Sequence, residues 1–201
     1  MTDTSLTAHE VDGHPTTTGL SNEKLGMWVF LGSECLLFGG LISTYLLYKA
    51  NNQAGGPIPH ELYDIPFTSI SSFVLLMSSL TMVLAVSAAA RGDGSRLRSW
   101  LLTTALLGSV FIAGQVYEFQ TFVKEGIGFT TNAASSAFFT LTGFHGVHVS
   151  VGIVMLVSTA VLSWRGRIGP DRAEAVEIVG LYWHFVDVVW IIIFTVVYLI
   201  K

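Results

Sequence analysis

Residues 178–200 form a run of twenty-three that holds only two acidic, basic or imidazole side chains, His184 and Asp187. Roughly 20 predominantly apolar residues are enough to cross a bilayer as a helix. A charge at mid-membrane costs at least ~2.5–3.5 kcal/mol on insertion scales, so each of the two needs a protein partner or a neutral form. Being three apart, they lie on one side of a helix. A chain with such a segment must surround it with further helices.

Four more low-charge runs precede it. Residues 25–48 contain Glu34 alone, residues 65–90 contain no ionisable group, and residues 99–123 contain Glu118. Residues 126–164 contain His145 and His148; this stretch is too long for one upright span and too short for two. Its polar start (Thr130, Thr131, Asn132, Ser135, Ser136) predicts a cap and then one long tilted helix from about Ala134. The expectation is an all-α, polytopic transmembrane bundle of five helices, with spans at about 25–48, 66–90, 99–123, 134–163 and 177–200. A polar, mobile tail occupies 1–24 and has no cationic segment ahead of a short apolar core, unlike a cleaved signal peptide.

Composition agrees. Only 12% of residues are charged and 51% are hydrophobic, whereas soluble domains carry roughly 25% charged residues. A net charge of −4 argues against a nucleic-acid surface. The loops are marked by Gly55-Gly56-Pro57 and Pro59, by Arg91-Gly92-Asp93-Gly94, and by Arg165-Gly166-Arg167 with Gly169-Pro170. Lys24, Arg91, Arg96, Arg98, Arg165, Arg167 and Arg172 fall on one side of such a bundle, against Lys49, Lys124 and Lys201 on the other. Positive charge collects on the cytoplasmic side, which predicts an inside amino terminus and an outside carboxy terminus. Gly39/Ser43, Gly40/Thr44 and Gly146/Ser150 are small pairs four apart, the spacing that lets helices approach closely in lipid. The lone Cys35 reads as a small buried hydrophobe; it excludes a disulfide framework within the chain.

Seven residues do not belong in hydrocarbon: Glu34, Gln115, Glu118, His145, His148, His184 and Asp187. Three of the pairs are three apart and so share a helix face. Counting along the runs places Glu34, His184 and Asp187 in one layer, with Glu34 and His148 as possible partners of the last helix. Carboxylates and histidines in a bundle can hold iron or zinc, but the paired Glu-x-x-His pattern of di-iron bundles is missing. They can also mark a proton or ion path, yet no broken helix or inverted repeat accompanies them. A satisfied polar network tying the helices together is the reading the residues themselves favour.

Four segments carry a resemblance. Tyr-Trp-His-Phe-Val-Asp-Val-Val-Trp (182–190) and Ser-Ala-Phe-Phe-Thr-Leu-Thr-Gly-Phe-His-Gly-Val-His-Val (136–149) resemble the last two helices of subunit III of haem–copper terminal oxidases. Gly-Ser-Glu-Cys-Leu-Leu-Phe-Gly-Gly (32–40) is similar to the family's intramembrane glutamate motif, and Gly-Gln-Val-Tyr-Glu-Phe (114–119) to its Gln-x-x-Glu-aromatic segment. The resemblance implies a subunit of a bacterial plasma-membrane cytochrome c oxidase that holds no redox centre itself. Haem and copper would sit in partner subunits. The chain would bind subunit I, with subunit II and a small subunit IV as further members of the complex, and would bind phospholipid. It would also support sustained proton uptake. It implies that Glu34 lies at the contact with subunit I and lipid, and that the other six polar residues are internal or lipid-facing. The longer family form has seven helices; here the first two are missing, so its lipid cleft is expected to be open or closed by another subunit. Alternatives are a quinol oxidase or nitric oxide reductase complex, or, in another class, an independent proton carrier.

Overall fold

The computed structural model describes residues 21–51, 65–168 and 172–200. The loop signals at 55–59 and 169–170, and residues 1–20 of the expected tail, lie outside them. Within them the chain forms five long helices: α1 (Asn22–Ala50), α2 (Ile65–Ala90), α3 (Gly94–Lys124), α4 (Ala133–Trp164) and α5 (Ala173–Phe194), the last closing in a π turn, Thr195–Leu199. All five are long and apolar enough to cross a membrane. At 1.5 Å per residue, the 32 residues of α4 measure ~48 Å, well beyond a ~30 Å hydrocarbon core, so α4 must tilt or project.

The helix starts follow local capping chemistry. The Ser21 hydroxyl accepts from Lys24 N (3.2 Å), Asp93 from Arg96 N (3.0 Å), and Asn132 from Ser135 N (2.7 Å). Asp93 starts α3 five residues before the expected span, so Arg96 and Arg98 lie in its first turns and not in a loop. Gly92 (φ 71°) and Gly166 (φ 67°) turn the chain at the ends of α2 and α4 in a conformation that side chains resist. α5 likewise starts at Ala173, ahead of the expected 177.

α3 packs between α2 and α4, α5 packs against α2 and α4, and α1 lies on α4 and α5 while barely meeting α2. The core is held by α5. The indole of Trp183 is fully buried, between Gly108 of α3 and Gly152 of α4. A methyl group on Gly108 would come within 2.6 Å of it, and one on Gly152 within 2.8 Å. Gly180 of α5 similarly admits Met82 and Val86 of α2. α1 contributes only Leu31, Phe38 and Tyr45 to the core, a seam repeating every seven residues, as in coiled-coil packing.

Two expectations are corrected. Gly39, Gly40, Ser43 and Thr44 do not mediate close packing within the chain: a methyl group on either glycine meets nothing within 4 Å. The hydroxyls of Ser43 and Thr44 instead donate to the carbonyls of Gly39 and Gly40 (both 2.8 Å). Gly146 is close only to the side chain of Gln115. Cys35 is exposed and not buried.

Candidate functional site: the intramembrane Glu34–His148 pair

Glu34 stands midway along α1 and His148 midway along α4. Their side chains meet at 3.1 Å (Nε2 to Oε2) and are 15% and 14% exposed. Several groups fix the imidazole. Its Nδ1 donates to the carbonyl of Phe144 at 2.8 Å, one turn earlier. The ring of Phe38 lies edge-on at 5.1 Å. From α5, the Tyr182 hydroxyl donates to the His148 carbonyl at 3.0 Å, and Phe30 of α1 stacks on the Tyr182 ring. Because a carbonyl only accepts, the Nδ1 hydrogen is already engaged. The Nε2–Oε2 contact therefore needs one further proton, shared across the α1–α4 seam.

The other five polar residues do not join this pair. Gln115 Nε2 donates to the Thr142 carbonyl of α4 (2.7 Å). Glu118, one turn on, turns to different helices: Thr68 of α2 donates to Oε1 (2.8 Å), and Tyr198 of the π turn donates to Oε2 (3.1 Å). His145 is fully buried among Phe38, Phe111 and Trp190, and its Nε2 donates to the Val186 carbonyl of α5 (3.2 Å). His184 Nδ1 and the Ser79 hydroxyl of α2 lie 2.7 Å apart. Asp187 is buried, and neither of its carboxyl oxygens has a hydrogen-bond partner among the described residues.

The expectation that Glu34 and His148 are partners for the polar pair of the last helix is therefore corrected. Glu34 and His148 take each other as partners, while His184 meets Ser79 of α2. Residues three apart share a helix side, but in a five-helix bundle that side spans two neighbouring helices. His145 reaches α5 and His148 reaches α1; Gln115 reaches α4 and Glu118 reaches α2.

What the sequence reading missed is α2. The indole nitrogen of Trp183 donates to Ser78 (2.9 Å), and that of Trp190 to Ser72 (2.8 Å). Thr81 meets Thr104 of α3 at 2.7 Å. Thr68, Ser72 and Ser79 recur at intervals of four and seven along one side of α2. That stripe was visible, but uncharged hydroxyls do not stand out in an apolar run. Two ties also bind the ends of α1 to α5: Lys24 to Glu177 (2.6 Å) at the arginine-bearing end, and Lys49 Nζ to the Ile200 carbonyl (2.6 Å) at the other.

Among the described residues no group of three or more His, Cys, Asp or Glu side chains is placed to hold a metal ion. A bundle of five apolar helices with an internal Glu–His pair defines a polytopic membrane subunit. The sequence model of the family described as cytochrome c oxidase subunit III matches residues 3–201. The chain is 42% identical over 178 residues to cytochrome c oxidase subunit 3 of Bacillus sp. (strain PS3), covering 89% of this chain and 86% of that one. It is 41% identical over 175 residues to quinol oxidase subunit 3 of Bacillus subtilis (strain 168), covering 87% and 85%. With cytochrome bo(3) ubiquinol oxidase subunit 3 of Pseudomonas aeruginosa the identity is 36% over 195 residues, covering 96% and 92%. The chain belongs to the subunit III family of the haem–copper oxidases, and is a multi-pass protein of the bacterial plasma membrane.

Proposed function

We propose that the chain is the subunit III of a proton-pumping cytochrome c oxidase, and that it serves the complex without performing the oxygen chemistry. Its task is to brace subunit I and the lipid around it through the face that carries Glu34, with subunit II and a small subunit IV as further members. The observation that carries this reading is the Glu34–His148 pair. It is a partly exposed acid and base at mid-span, the acid on the helix that contributes least to the chain's own core. An intramembrane acid is expensive unless it is used. The face of α1 turned away from the seam, bearing Gly32, Gly39, Gly40 and exposed Leu36, offers a partner close approach to the helix that carries the acid.

The test is Glu34→Ala in the intact oxidase. The expected result is an inserted, folded subunit that co-purifies less completely with subunit I or whose complex loses activity faster during turnover. Unchanged assembly, lipid content and turnover-dependent inactivation would remove Glu34 from the interface. A second reading, a quinol oxidase, is favoured by relatives carrying that name at nearly equal identity. The donor is decided by the purified complex: a dicopper centre in subunit II supports cytochrome c, and its absence supports a quinol.

A further inference from the structure

The outer side of the bundle between α3 and α4 carries two open grooves of about 500 and 530 Å³ that run into one another, sharing Val116 and Phe119. No described residue of α1 lines either, so this side is separate from the face that carries Glu34. On α3 the lining follows steps of four through Ile112, Val116, Gln120 and Lys124, one stripe of the helix. On α4 it follows the same steps through Phe139, Gly143, Val147 and Val151. Gly143 is the floor, because an added Cβ there meets nothing within 4 Å.

The stripe on α3 changes character along its length. Lys124 and Gln120 stand at the end of the bundle away from the arginines, and Val116 and Ile112 lead to mid-span. Lys49, at the same end, is held by the Ile200 carbonyl at 2.6 Å. Lys124 and Gln120 make no hydrogen bond or ion pair among the described residues, and the neighbouring Glu125 does not line the groove. An ammonium and an amide one turn apart, ~5.4 Å along the axis, offer donors to two separate acceptors. Deeper in, the polar groups are turned to the protein itself. Gln115 Nε2 donates to the Thr142 carbonyl (2.7 Å), and its Oε1 is tucked against Gly146, where an added Cβ would lie 2.8 Å from it. The Ser150 hydroxyl donates to the Gly146 carbonyl (2.8 Å). The deep part therefore suits hydrocarbon, and the Lys124 end suits an anion followed by a second acceptor.

Length separates the occupants that answer this description. From Lys124 to Ile112 the groove runs twelve residues, ~18 Å at 1.5 Å per residue. A single leaflet with its polar layer is ~20–22 Å, half of a ~40–45 Å bilayer. Residues 94–111 of α3 line no part of either groove. A spanning helix from a partner needs a seat through both leaflets, whereas a lipid needs one. A phospholipid has its acceptors in the required order, a phosphate first and an ester carbonyl deeper, ahead of an apolar chain. A free fatty acid has one head group for the two donors.

We propose that the α3–α4 groove holds one phospholipid of the leaflet at the Lys124 end. Its phosphate meets the Lys124 ammonium, an ester carbonyl accepts from the Gln120 amide, and one acyl chain lies over Gly143.

The experiment is native mass spectrometry of the purified intact oxidase, washed free of lipid in detergent and titrated with dioleoylphosphatidylglycerol. Bound lipids per complex are counted at equal subunit III content for the parent protein, for Lys124→Gln and for Val147→Trp, which fills the groove from an exposed position without touching the head-group end. The expected result is one lipid fewer, or one site weakened at least tenfold, in both variants, and no occupation of that site by dioleoylglycerol, which lacks the phosphate. Equal lipid number and affinity in all three proteins, or equal binding of dioleoylglycerol, would overturn the proposal. So would unchanged lipid binding with loss of another protein subunit from Val147→Trp, which would assign the groove to a partner helix.

Discussion

Trp183 and Gly152 share a space with no room for one more methyl group: an added Cβ on Gly152 would lie 2.8 Å from the indole. The indole is fixed from both sides, since Gly108 of α3 leaves even less room and the ring nitrogen donates to Ser78 of α2. Gly152→Ala should therefore displace Trp183 and loosen the Ser78 hydrogen bond. Overpacking of this kind costs typically ~1–3 kcal/mol. Thermal unfolding of the oxidase in detergent, followed by loss of subunit III, should shift to lower temperature. Gly143→Ala, where an added Cβ meets nothing within 4 Å, should leave it in place. Equal behaviour of the two variants would refute the wedge.

The two ties between α1 and α5 differ from that core contact in strength. Lys24 and Glu177 are 26% and 39% exposed at their side chains, so solvent screens them, and such exposed pairs contribute little. Glu177→Gln should change subunit stability only slightly, and raised salt should erase the difference. A loss of α1 insertion, read by protease protection in membrane vesicles, would show the tie to be worth far more.

The five spans are legible because each depends on length and low charge alone, which burial in the bundle does not alter. Their edges were less so: Arg96 and Arg98 read as loop residues, yet Asp93 caps α3 ahead of them. The Glu34–His148 contact was within reach of the sequence only as one of several pairings, because spacing gives a face and not the neighbour on it. The small pairs misled for a related reason. Gly39 and Gly40 have the spacing of a packing face but lie on the side of α1 away from the seam, while Gly152 and Gly180, which do admit neighbours, form no such pairs. The π turn at Thr195–Leu199 left no signal, although it carries Tyr198 to Glu118.

Asp187 offers a contrast with Glu118. Both are buried carboxyl groups, but Glu118 receives two hydroxyl donors, whereas neither oxygen of Asp187 has a hydrogen bond of ordinary geometry. A buried polar group left unmatched costs ~1–3 kcal/mol. Asp187→Asn keeps the shape and lowers that burden, so the variant should melt at the parent temperature or above it. A clear fall in melting temperature would mean that the carboxyl has a partner in the assembled complex.

Glu118 and Tyr198 should show the opposite behaviour, and a double-mutant cycle reads it. Tyr198→Phe removes the donor to Oε2 and leaves the ring packed on Phe138 and Phe194. Glu118→Gln keeps the volume but puts an N–H group against one of two hydroxyls that now donate. Each single change should destabilise the subunit, and the pair should cost less than the sum, because the second substitution removes a contact already lost. Interhelical polar contacts in membranes couple by ~0.6 kcal/mol on average and at most ~1.7. Coupling in that range, measured by unfolding of the purified oxidase, would place Glu118 among the groups that hold α2, α3 and α5 together. Strict additivity of the two changes would mean that the carboxylate does not depend on Tyr198, and that the π turn positions Tyr198 for packing only.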